Sequence, residues 1–130
     1  MWVRYTAHKE RGEPPHAHLW CTVFDSDRPP LARRTASPAP LGVPASGEWA
    51  RIDGATIAPG RAAGALEDCA WSVTWAGNAP ELPYLPAWLY ARPLPRSNGV
   101  ALVPSATFAG TVDVGADRFD LAAWRGMVGH

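Results

Sequence analysis

The chain has 130 residues, with twelve basic against twelve acidic side chains and no formal net charge. That is the size of one domain, without the field that draws a protein to nucleic acid or to an anionic membrane. Glycine (12) and proline (14) punctuate it too often for long helices, whereas seven tryptophans and many β-branched residues favour strands, which excludes an all-α fold.

Met1, Val3 and Tyr5 alternate with Trp2, Arg4 and Thr6, the period-two mark of a strand. A polar connection from His8 to Pro15 leads to a second strand over Ala17 to Phe24, closed by Asp25-Ser26-Asp27, so the two predict a hairpin. Residues 28–47, with Pro29, Pro30, Pro38, Pro40 and Pro44 among Ala and Ser, read as a long Pro/Ala-rich surface loop.

Trp49 to Ile57, broken at Asp53-Gly54, predicts a short hairpin, and Pro59-Gly60-Arg61 turns the chain again. Trp71, Val73 and Trp75 share one face of a strand, with Ser72 and Thr74 on the other. From Pro80 to Pro95, prolines interleaved with Tyr84, Trp88 and Tyr90 predict an extended, irregular connection. Thr107 to Val114 places Phe108, Gly110, Val112 and Val114 on one face, and Gly115-Ala116-Asp117 returns the chain through Arg118 to Leu121 as a hairpin. About seven short strands and at most a turn or two of helix predict an all-β fold: an antiparallel barrel or curled sheet, possibly incomplete.

No apolar run approaches the ~20 residues that span a bilayer, and Met1-Trp2-Val3-Arg4-Tyr5 lacks the form of a signal peptide. The expectation is a cytoplasmic protein without a transmembrane segment. In that compartment Cys21 and Cys69 are expected as two buried thiols, not a disulfide.

Several stretches together carry a resemblance. They are Trp2-Val3-Arg4-Tyr5-Thr6 followed by Leu19-Trp20 and Phe24-Asp25; Pro59-Gly60-Arg61 with Gly64; Trp71 with Trp75; Phe108-Ala109-Gly110-Thr111-Val112; and Trp124-Arg125-Gly126-Met127-Val128-Gly129-His130. In order and spacing they resemble the N-terminal half of the tandem lipocalin-like family of carotenoid 1,2-hydratase (hydroxyneurosporene synthase), tocopherol-cyclase-like proteins and fungal decalin-forming Diels–Alderases. The resemblance implies a lipocalin-like domain over residues 1–130 whose partner is a second lipocalin-like half in cis. In that family the segment ending at a histidine continues into Asn-Trp-Gly and a second barrel, whereas this sequence stops at His130. The implied ligand is a small hydrophobic, isoprenoid-like molecule, bound and in the paired protein hydrated or cyclised.

Hydrating or cyclising an isoprenoid needs a proton donor and aromatic faces that stabilise a carbocation. Trp20, Phe24, Trp71, Trp75 and Phe108 are the aromatics expected to face inward and bind the ligand. The plainer reading, that tryptophans at strand spacing simply fill a small core, stands beside this one. For the acid, the candidates are His130, at the family's motif position, and Asp120, although aspartates beside a hairpin are also ordinary turn residues. Arg125 either orients His130 or faces solvent.

His16 and His18 share a strand face and, with His8, present imidazoles that bind metals elsewhere. No Cys or carboxylate stands at ligand spacing, so these read as exposed histidines and no metal is assigned. Gly60-Arg61-Ala62-Ala63-Gly64 lacks the Lys and the glycine spacing of a phosphate loop, no Gly-x-Ser-x-Gly elbow is present, and no cofactor is implied. The alternative to isoprenoid chemistry is a non-catalytic lipophile carrier, or an interaction module whose apolar edge pairs with the second half.

Overall fold

The computed structural model describes residues 1–8, 11–25, 28–37, 42, 44–91 and 99–129. Two antiparallel sheets account for most of them. The smaller contains β1 (Trp2–His8), β2 (His16–Asp25) and β3 (Arg28–Ser37), in that order. The larger follows the path β10-β9-β7-β6-β5-β4, built from β4 (Ala50–Ile52), β5 (Ala55–Ala58), β6 (Arg61–Leu66), β7 (Cys69–Ala76), β9 (Val100–Val114) and β10 (Asp117–Gly129). A short β8 (Leu82–Pro83) pairs with the start of β9, and the four-residue helix α1 (Ala87–Tyr90) follows it.

The chain is therefore all-β, and among the described residues its curled sheets do not close into a barrel. Among the described residues β10 ends the larger sheet on one side and β4 on the other.

The expected hairpins form where turn chemistry coincides with alternation. β1 and β2 pair from Trp2↔Thr22 to His8↔His16, and β4 and β5 turn through Asp53 and Gly54, both at positive φ. Residues 28–47 are the correction. Arg28–Ser37 is not a loop but β3, an outer strand paired with β2 from Asp25↔Arg28 to Ala17↔Ser37. Prolines are compatible with the first residues of an edge strand, where a missing N–H need not break a ladder, and that is where Pro29 and Pro30 sit. Among the described residues there are ten strands where about seven were expected, the difference coming from β3, from β8 and from the fine division of residues 50–66.

The core lies where the small sheet covers β4 to β7. Ala17, Leu19 and Cys21 alternate onto the inner face of β2 and pack with Ile52, Ala55, Leu66, Cys69 and Trp71. The Cys21 and Cys69 sulfurs lie 2.8 Å apart inside this core, both buried. Gly64 leaves room in this core: a Cβ there would collide with Ala55 and approach Trp71 Cζ2 to 2.7 Å.

Candidate functional site

The inner face of the larger sheet is assembled by register. Trp71, Val112 and Phe119 form one cross-strand row, Val73, Gly110 and Leu121 the next, and Trp75, Phe108 and Trp124 a third. Period-two alternation puts the odd residues of β7 and Phe119 and Leu121 of β10 on this face. It would put Trp124 on the other. A β-bulge between Leu121 and Trp124, with Ala123 in the left-handed region at φ 59°, shifts the parity of β10 and returns Trp124 to the concave side.

Gly110 lets the sheet curl. At φ 127° it adopts a backbone conformation that side-chain-bearing residues rarely enter, and a Cβ there would run into the Ser72 carbonyl oxygen and come within 2.9 Å of Val73 Cα. Strands β7 and β9 thus come close together where Gly110 faces Ser72 and Val73.

The curl and β1 enclose an open cleft of about 1780 Å³. Trp75 is its aromatic centre, with ring centroids 6.3 Å from Trp49 and 5.9 Å from Phe108, both tilted. Such tilted pairs suit the ring quadrupoles better than face-to-face sandwiches. At one side the Trp71 Nε1–H donates to the Tyr5 hydroxyl oxygen at 3.2 Å, while Tyr5 donates to the Thr56 carbonyl at 2.9 Å. Burial pushes the Tyr5 phenol up to about 12, and the hydrogen bond from Trp71 only partly opposes this, so it remains a neutral donor. Both polar groups are occupied by each other and by the backbone, and the lining between the β1 and β10 edges is mainly apolar, with Arg4, Asp117 and Arg125 also in it.

Of the aromatics expected to face inward, Trp71, Trp75 and Phe108 line the cleft. Phe24 reaches its mouth, 61% exposed. Trp20 is a correction: it does not line the cleft, because Leu19 and Cys21 take the inner face of β2 and alternation sends Trp20 to the opposite one, where its ring stacks near His18 at 6.4 Å.

Asp120 also alternates away from the concave face. Its side chain is 82% exposed and 3.8 Å from Arg118, on the solvent side of β10. His130 lies outside the described residues. The carboxylate that does reach the lining is Asp117, exposed beside the β9–β10 turn, and Arg125 lines the same rim. Tyr5, Val112, Phe119 and Leu121 belong to the lining although they were not singled out as ligand contacts, and the alternation of their segments is the signal that marks them.

Comparison with known proteins gives two uncharacterised proteins of Mycobacterium tuberculosis, one from strain CDC 1551 / Oshkosh and one from strain ATCC 25618 / H37Rv. Each is 32% identical over all 130 residues of this chain. The chain spans 39% of the length of these relatives. No family model matches the sequence, and no solved structure matches it.

Proposed function

We propose that this chain binds an elongated apolar small molecule of isoprenoid type in the cleft, as one half of a tandem lipocalin-like protein. The observation that supports it is the continuous concave wall of Trp71, Trp75, Phe108, Val112, Phe119 and Leu121 beside an open volume of about 1780 Å³. Covering about 400 Å² of hydrocarbon against such a wall is worth ~10 kcal/mol before the costs of ordering the ligand. The isoprenoid class rests on the resemblance to the carotenoid-hydratase and tocopherol-cyclase-like family, and the indole faces of Trp71 and Trp75 suit both a polyene and a developing carbocation.

Binding is the part of this activity assigned to residues 1–130. Hydration or cyclisation is assigned to the protein with both halves, because Asp120 points to solvent, away from the concave wall. The compartment we assign is the cytoplasm, where Cys21 and Cys69 stay reduced. Among the described residues no helix is long and apolar enough to cross a membrane.

The test is a titration of the purified chain, and of a longer protein carrying both halves, with a linear carotenoid or a polyprenyl quinone, followed by tryptophan fluorescence. Saturable quenching is expected in both. No response in either overturns the reading.

A second reading is favoured by the rim. Trp2, Phe24, Trp124 and Met127 are each about half or more exposed around the cleft, the last two on β10, which ends the larger sheet among the described residues. A non-catalytic module that pairs this edge with further protein has these features. It requires the isolated chain to self-associate, and a clean monomer by light scattering removes it.

A further inference from the structure

The chain has two cysteines, and they meet in the seam between the sheets. Cys21 shares the buried face of β2 with Ala17 and Leu19, and Cys69 opens β7 two residues before Trp71, on the same face of that strand. Each is about 1% exposed, and their sulfurs lie 2.8 Å apart although 48 positions separate them. The core that holds them is otherwise hydrocarbon and indole, with Leu19, Ile52, Ala55, Leu66 and Trp71 among its members.

We propose that Cys21 and Cys69 are an oxidation site, at which a hydroperoxide converts the two thiols into a disulfide that joins β2 to β7 and a small thiol reverses it. A disulfide of ~2.0 Å asks the sulfurs to close by about 0.8 Å, a movement within reach of small side-chain rotations. The backbones are held meanwhile by the ladders on either side, β1 and β3 flanking β2, and β6 and β9 flanking β7. With hydrogen peroxide, one thiol attacks the O–O bond, becomes a sulfenic acid and releases water. The second thiol then attacks the sulfenic sulfur, the S–S bond forms and a second water leaves, so two electrons have passed from the sulfurs to the peroxide. Two equivalents of glutathione return the pair to thiols by exchange through a mixed disulfide, leaving glutathione disulfide. In a reducing compartment the pair rests as the dithiol, and peroxide is what shifts it.

The bond changes what the seam can do. In the reduced chain, separating the sheets breaks apolar contacts and hydrogen bonds, the nearby Trp71 to Tyr5 bond of 3.2 Å among them. Peroxide reaches the buried sulfurs when the seam opens, and reclosing sets the sulfenic acid against its partner. Once oxidised, β2 cannot leave β7 without a reductant. The small sheet carries β1, which forms one wall of the cleft, so the state of the two sulfurs decides whether that wall can move away from the larger sheet.

The experiment treats the full chain, reduced with dithiothreitol and desalted, with hydrogen peroxide in the absence of denaturant. The intact mass is expected to fall by two hydrogen atoms, and peptide mapping of the alkylated chain to recover one cross-linked pair containing Cys21 and Cys69. The urea midpoint should rise by about 1 M or more and return on addition of glutathione. Cys69→Ala should show neither the mass loss nor the rise, with circular dichroism as the control for folding, and the peptide map of the parent decides the linkage without that variant. Thiols left intact after prolonged exposure, sulfinic acid or chain-to-chain disulfide as the main product, or a cross-link that leaves the urea midpoint unchanged or lower overturns the proposal. The lipophile titration is independent of each of these outcomes.

Discussion

Trp71 on β7 donates its indole N–H to the hydroxyl of Tyr5 on β1, 66 positions away, and so ties the small sheet to the large one across the core. The same hydroxyl donates to the Thr56 carbonyl, so one oxygen bridges three strands. Tyr5→Phe leaves the indole N–H and the carbonyl without this partner and is expected to cost about 1–3 kcal/mol in a urea denaturation. The pH dependence has a definite sign. With the folded phenol at about 12 and the unfolded one near 10.0, the Tyr5 contribution is fully present below pH 10 and falls away as pH rises through 12. Alkaline unfolding should therefore be steeper in the parent than in Tyr5→Phe, as seen in ellipticity against pH.

The curl of β9 over β7 depends on the absence of a side chain at position 110. Gly110→Ala is expected to lose about 2 kcal/mol or more, because neither the φ of 127° nor the approach to the Ser72 and Val73 backbone tolerates a methyl group. Gly12→Ala and Gly47→Ala are the controls: both positions have positive φ, but nothing lies within 4 Å of the new methyl, so only the conformational cost of about 1 kcal/mol applies. Urea midpoints of the three variants separate strain from collision.

The parts of the site that were legible in the sequence are those in which chemistry repeats locally. Trp71, Val73 and Trp75 announce their shared face by spacing alone, and Phe108 to Leu121 announces a hairpin by alternation on either side of Gly115-Ala116. What was hidden depends on partners far along the chain. β3 is a strand because β2 offers it a ladder, not because Arg28 to Ser37 has strand composition. Trp20 has the type of a lining residue, but the buried set Ala17, Leu19 and Cys21 takes the inner parity of β2. Trp124 shows the converse, since only the bulge at Ala123 brings it inward, and no residue pattern marks that extra position.

Adjacent residues on β10 give a sharp test of the cleft. Leu121 lines it and Asp120 points to solvent. Leu121→Arg is expected to weaken quenching by a polyprenyl quinone at least tenfold, since the guanidinium must be desolvated wherever ligand covers the wall. Asp120→Asn is expected to leave the quenching curve unchanged, and in the protein with both halves to leave turnover unchanged too. A loss of turnover there with binding intact would restore Asp120 as the acid.

Cys21 and Cys69 sit sulfur to sulfur at 2.8 Å in the seam between the sheets, each about 1% exposed. Reagents reach such thiols only when the seam opens, so their reactivity reports separation of the two sheets. The native chain is expected to show no reaction with a disulfide reagent on the timescale of mixing and two thiols per chain once unfolded. In intermediate denaturant both should react at one rate, because a single opening exposes both partners. If Cys21 instead reacts well before Cys69, β2 unravels locally while Cys69 stays covered. Tyr5→Phe should then speed the Cys21 reaction specifically, since it removes the hydrogen bonds that join β1 to Trp71 and Thr56.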